Sequence, residues 1–179
     1  GLPSNQISRL GVGRVYQTTN IFNDLTVFEN CRLASQTQLD RQFSFFRRAE
    51  KYELANELAE VVLERVNLNG KKFFVVDSLS HGDQKKVEIA MVLATRPKLL
   101  ILDEPLAGMS AEETSMIVKL ISSLKEEHSI LIVEHDVEAV LSIASKVSVM
   151  SNGKIVKVGT PQEVRSDPFV QEVYFGEQR

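Results

Sequence analysis

Four short apolar runs, each bounded by turn residues or charge, punctuate the chain: Leu99-Leu100-Ile101-Leu102, Ile130-Leu131-Ile132-Val133, Val147-Ser148-Val149-Met150 and Ile155-Val156-Lys157-Val158. Runs of this length and composition predict buried strands. The last two flank Ser151-Asn152-Gly153-Lys154, and Asn-Gly between β-prone runs signals a tight hairpin, so this pair is expected to be antiparallel. A helical period governs other stretches. Val87, Ala90, Met91 and Ala94 share one face, as do Ile117, Leu120, Ile121 and Leu124, then Val137, Val140, Leu141 and Ala144. Ala55, Leu58, Ala59 and Val62 mark a fourth helix. Ser80 with Asp83, and Ser110 with Glu113, have the spacing of capping boxes, which places both serines at helix N-termini.

One helix separates the first two strands, so they are expected to be parallel through a right-handed crossover, in an α/β core. The region from Thr26 to Thr95 reads as a mainly helical insert, with Phe73-Phe74-Val75-Val76 its one strand-like run. Gln36 to Arg48 has no clean period and receives no element. A hydrophobic content of 43% over 179 residues fits one ordinary globular domain. The formal charge of -3, without any basic run, argues against broad electrostatic capture of nucleic acid. No apolar run approaches the roughly 20 residues of a membrane span, and no signal-peptide pattern opens the chain, so a soluble protein is expected. Cys31 is the single cysteine, so no internal disulfide can form and cytosolic residence is the default. The first residue is Gly1 rather than Met, which hints at a processed or partial chain.

The chemistry-bearing residues sit at element ends. Leu99 to Leu102 leads into Asp103-Glu104-Pro105, placing two carboxylates at the carboxyl end of a strand, where open α/β sheets bind ligands. One acid there can hold Mg²⁺, directly or through water, while the next accepts a proton from an attacking water. A plain acidic turn ending at Pro105 accounts for the same residues. The second aliphatic strand leads into Glu134-His135-Asp136. If the two strands are neighbours, His135 lies beside Glu104 and can bond a terminal phosphate; taken alone, these residues fit better a histidine followed by Asp136 capping a helix. Leu79-Ser80-His81-Gly82-Asp83-Gln84 opens the helix Lys85 to Thr95. Its hydroxyl, its glycine and the helix N-terminus together suit a phosphate, although an ordinary N-cap looks the same. Gln17 follows the small apolar run Leu10 to Val15 and Tyr16. His128, in the polar turn Lys125-Glu126-Glu127-His128, reads as solvated surface.

Taken in order, Gln17, Leu79 to Gln84, Asp103-Glu104 and His135 resemble the ATP-binding cassette (ABC) ATPases. Gln17 matches the Q-loop glutamine of that family, Leu79 to Gln84 its LSGGQ-type signature, Leu99 to Asp103 its Walker B strand, Glu104 its catalytic glutamate and His135 its switch histidine. Ala107-Gly108-Met109-Ser110 falls at the D-loop, and the signature departs from the family at His81 and Asp83. The resemblance implies a P-loop NTPase-like α/β core with a parallel sheet. Residues 1–25 and 96–179 would form that core and a C-terminal segment, and about 26–95 a helical subdomain carrying the signature. Within the family the chain looks like the ATP-binding subunits of importers for branched-chain amino acids and related small solutes, urea included. The supporting residues include Gly1-Leu2-Pro3, Ile7-Ser8-Arg9-Leu10-Gly11-Val12, Leu25-Thr26-Val27-Phe28-Glu29-Asn30, Ala107 to Glu113, Gly159-Thr160-Pro161 and Gly176-Glu177.

The resemblance further implies two subunits that sandwich two ATP molecules. Asp103 and Gln17 would place Mg²⁺, partly through water; Glu104 would polarise the attacking water and His135 would contact the γ-phosphate. Ser80, Gly82 and Gln84 would serve the partner's ATP in trans, and Gly108 and Ser110 would join the nucleotide-binding set. Implied partners are integral-membrane permease subunits, a second identical or related ABC ATPase subunit and, indirectly, a solute-binding protein, at the cytoplasmic face of the cell membrane; no nucleic acid is among them. The family's phosphate loop, Gly, four residues, then Gly-Lys-Ser/Thr, does not occur: Gly70-Lys71 is followed by Lys72 and Gly153-Lys154 by Ile155. The N-terminal portion of a cassette ATPase is therefore expected to be missing, and weak or absent ATP binding and hydrolysis are expected of these residues alone. An alternative is a truncated, non-hydrolysing partner that presents only its signature face. The acidic balance and the segment from Gly159 onward argue against a DNA-repair or ribosome cassette.

Overall fold

The computed structural model describes residues 1–18, 20–39 and 48–172. Gly176-Glu177 and residues 40–47 of the unassigned stretch lie outside them. The chain forms two compact units, Gly1–Val133 and Glu134–Arg179.

The first unit is organised by β2 (Leu99–Asp103), which pairs in parallel with β1 (Val12–Val15) on one side and β3 (Ser129–Val133) on the other. The expected parallel pair is thus β2 and β3, joined through α5 (Ala111–Leu124). Leu100 and Leu102 of β2 are fully buried, and α5 buries Ile117, Leu120, Ile121 and Leu124, the face that its period marked. The sheet meets the insert at Gly13. A methyl group there would lie 2.4 Å from Val92 Cγ1 and 3.1 Å from Pro97 Cβ, so only glycine lets β1 approach α4 (His81–Ala94) this closely.

Three helices, α2 (Val27–Leu39), α3 (Arg48–Arg65) and α4, pack on one another around Val27, Cys31, Ala55, Ala59, Leu63 and Ile89. Burial pushes the Cys31 thiol up to about 12, which leaves it protonated and inert. A short helix, α1 (Ser4–Arg9), precedes β1. Thr26 and Glu29 form a reciprocal cap at the start of α2, and buried Asn30 ties the preceding loop down through Phe22 and Thr26.

Three expectations are corrected in this unit. Phe73-Phe74-Val75-Val76 is no strand: Lys72 and Phe74 carbonyls accept from Phe28 and Val27 at the start of α2, leaving a single bridge between Thr26 and Val75, and both phenylalanines are exposed. β3 is not buried. It is an edge strand among the described residues, and Leu131 and Val133 are each 52% exposed on its open face. His128 is not solvated surface: it is half-buried, and its Nδ1 lies 2.8 Å from the Pro97 carbonyl.

The second unit holds α6 (Val137–Ile143), the antiparallel pair β4 (Val147–Ser151) and β5 (Lys154–Gly159), α7 (Pro161–Arg165) and α8 (Pro168–Val170). The Asn152-Gly153 turn has both residues at positive φ, 48° and 73°, the geometry that a two-residue hairpin needs. Its core is small: Leu141, Val149, Val164 and Val170. Met150, Ile155 and Val158 are exposed, so this pair too is less buried than its composition suggested.

Candidate nucleotide site

The geometry starts at the carboxyl end of β2. Asp103 ends the strand, and Glu104 turns out of it with φ +45°, a left-handed conformation that costs a glutamate about 1–3 kcal/mol and is characteristic of functional sites. The Glu104 amide donates to the Val133 carbonyl at 2.9 Å, so β3 fixes this turn. Gln17, two residues beyond β1, donates from Nε2 to Glu104 Oε2 at 2.7 Å. Arg14, on β1 itself, pairs with Asp103 at 2.6 Å and lies 4.7 Å from the Tyr16 ring centroid. Parallel register next to β2 therefore brings a glutamine to one carboxylate and a guanidinium to the other.

A second cluster forms where α4 begins. Ser80 is the N-cap and accepts from the Asp83 amide. The expected box is only half made, because the Asp83 carboxylate is taken by Lys71 and Lys86; burial pushes its pKa up, but the two lysines outweigh that and hold it below the usual range. Another carboxylate takes its place. Glu113, which closes the full capping box of α5 with Ser110, also accepts from the Gly82 amide at 2.9 Å. The Gly82 amide, then Ser110 and Ser80, hold Glu113 down to about 2. His81 Nε2 lies 3.3 Å from the Ala107 carbonyl, and Gly108 next to it has φ +72°. The Gln84 side-chain amide donates to the Val76 and Leu79 carbonyls, a bracing role beside the one expected of it.

His135 belongs to the second unit. Its ring is 74% exposed, and Asp136 caps α6 through the Ala139 amide, as the plainer reading of that segment anticipated. Among the described residues no group of three or more His, Cys, Asp or Glu side chains is placed to hold a metal ion. Asp103 and Gln17 offer hard oxygen donors at one sheet edge, which suits Mg²⁺, an ion that takes few protein ligands and fills the rest with water and phosphate. Arg14 and Glu113 escaped the sequence reading. The T/S-x-x-E spacing flagged Glu113 as a cap, but its bond to another helix follows from packing alone.

A parallel sheet with strand-end carboxylates and an inserted helical layer agrees with the α/β arrangement that the resemblance implied. Residues 3–107 match the ABC transporter family model. The chain is 37% identical over 186 residues to the high-affinity branched-chain amino acid transport ATP-binding protein LivG of Salmonella typhimurium, covering 99% of this chain and 72% of that protein. The corresponding protein BraF of Pseudomonas aeruginosa gives the same identity and coverage. The crystal structure of the ADP conformation of an ATP-binding cassette of an ABC transporter superposes with a TM-score of 0.75 at 28% identity, covering 96% of this chain and 71% of that one. The chain belongs to the ABC transporter ATP-binding family.

Proposed function

We propose that the chain is the ATP-binding and ATP-hydrolysing subunit of an ABC importer for branched-chain amino acids or a related small solute. The names of the LivG and BraF relatives support the solute class. The contact between Gln17 and Glu104 carries the chemical reading, because it sets an amide against the carboxylate best placed to take a proton from water. In this reading Glu104 is the general base, and Gln17 holds and senses it. Asp103 and Gln17 supply oxygen donors for Mg²⁺, which when bound would neutralise phosphate charge. Ser80 and Gly82, with Gln84, Gly108 and Ser110 shaping the surface around them, face the nucleotide of a second ABC subunit, and His135 contacts the γ-phosphate.

The insert and the loop after Gln17 would dock a membrane permease. A cavity of about 720 Å³ between α1, β1, α2 and α4, walled by Tyr16, Phe22, Leu33 and Met91, supports that assignment, since its apolar walls suit a short helix of the permease. The subunit would work at the cytoplasmic face of the membrane, and no helix among the described residues is long and apolar enough to cross it. The 179 residues contain no Gly-x4-Gly-Lys-Ser/Thr loop, so alone they are expected to bind ATP weakly and not to turn it over.

The test is MgATP hydrolysis by a transporter complex whose subunit carries these residues together with a complete phosphate loop, with Glu104 and with Glu104→Gln. Loss of a general base should lower kcat by roughly 10²–10⁴-fold with ATP still bound. Undiminished turnover would reject Glu104 as the base.

A further inference from the structure

The most deeply buried charges among the described residues of the first unit play no part in the site described so far. Lys85 and Glu88 lie one turn apart on α4, 2% and 4% exposed, and pair at 2.8 Å. Burying two charges costs several kcal/mol per ion, and an apolar pair of similar volume is often as stabilising. An apolar pair could not do what these side chains do next. Lys85 Nζ donates to the Tyr16 carbonyl at 3.3 Å, and Glu88 Oε1 accepts from the Asn20 amide at 3.4 Å. Those two backbone groups stand on either side of Gln17, beyond the end of β1 at Val15, where backbone groups need partners other than the strand ladder. One buried pair thus brackets the loop whose glutamine reaches Glu104. Its helix is the one that begins at Ser80 and Gly82.

We propose that Lys85 and Glu88 are positioning residues that set Gln17 against Glu104, so that the attitude of α4 is transmitted to the general base. The inference rests on the roles proposed above for Gln17 and Glu104. Glu88 also lines the apolar cavity with Tyr16, Asn20 and Phe22, so whatever fills that cavity bears on the same bracket.

The test reads the ¹⁵N-labelled full chain by NMR, which needs no activity. Glu88→Asp keeps the charge for Lys85 but withdraws the carboxylate from the Asn20 amide. In this variant the Gln17 side-chain amide signals should move towards those of exposed glutamine, and the Asn20 amide should exchange about tenfold faster or more, as in a locally opened segment. Lys85→Met/Glu88→Leu should do the same, while Glu88→Gln, which retains an acceptor, should keep the Gln17 signals in place. Val87→Ala weakens the α4 core without touching the bracket and should leave them unmoved, which separates positioning from a general loss of packing. Gln17 signals that stay put in Glu88→Asp, or that move equally in Val87→Ala, would overturn the proposal. If instead Glu104→Gln left turnover intact while these shifts appeared, the role of Glu104 as base would fall and the bracket would stand.

Discussion

Arg14 makes the shortest contact with Asp103 and yet contributes little to holding the chain together. Its side chain is 48% exposed and that of Asp103 28%, and ion pairs so open to water are worth about 0–1 kcal/mol. Arg14→Met should therefore lower stability in urea by less than about 1 kcal/mol. Glu113 behaves differently because its partners are backbone amides at two helix starts. Its folded pKa of about 2 lies below the ordinary 4.5, so the stabilisation it brings is complete above 4.5 and disappears as pH falls through 2. Urea midpoints measured across that window should fall steeply for the wild type and less steeply for Glu113→Gln; identical slopes would dismiss the double contact.

At the scale of elements, two glycines separate two kinds of constraint. Gly153 has φ +73° and open space where a side chain would go, so Gly153→Ala should cost about 1 kcal/mol through backbone conformation alone. Gly13 has ordinary dihedrals but no room, and Gly13→Ala must push β1 from α4, costing about 1–3 kcal/mol. Thermal unfolding of both variants checks the ranking. The hairpin, the parallel pair β2–β3 and the face of α5 were legible in the sequence, because each follows from local period or turn chemistry; α4 is buried nearly all round, Ile89 and Leu93 included, so its period marked only part of what it buries. Phe73 to Val76 misled for a physical reason: β-prone side chains do not form a strand when their carbonyls serve to start a neighbouring helix. Thr160-Pro161-Gln162-Glu163 carries the complete signal of a capped helix start, realised in α7. The order of Gln17, Ser80, Asp103 and Glu104 pointed to the members of the proposed site. It did not reveal Arg14, Glu113, Lys85 or Glu88 as their neighbours, since register and helix packing lie outside any local window.

Both units of the molecule expose aliphatic side chains on their strands. Leu131 and Val133 face outward on β3, and Met150, Ile155 and Val158 do so on the hairpin of the other unit. Exposed aliphatic side chains on an unpaired strand edge favour intermolecular association. Light scattering of the isolated chain should grow with concentration, and Leu131→Glu with Val133→Thr should suppress that growth; a wild-type chain monodisperse at high concentration would contradict it. The expectation of deep burial for these strands came from reading aliphatic content as a proxy for a covered face, and content alone does not say what covers it.

The shared carboxylate of Glu113 has a genetic corollary. Gly82 and Ser110 stand 28 residues apart in sequence, yet one side chain answers to both. Substitutions at the two positions cannot then be scored as separate events: once either has displaced Glu113, the other has less left to lose. A library that varies them singly would overstate the penalty of varying them together, and the tolerated pairs would look like compensation although nothing has been repaired.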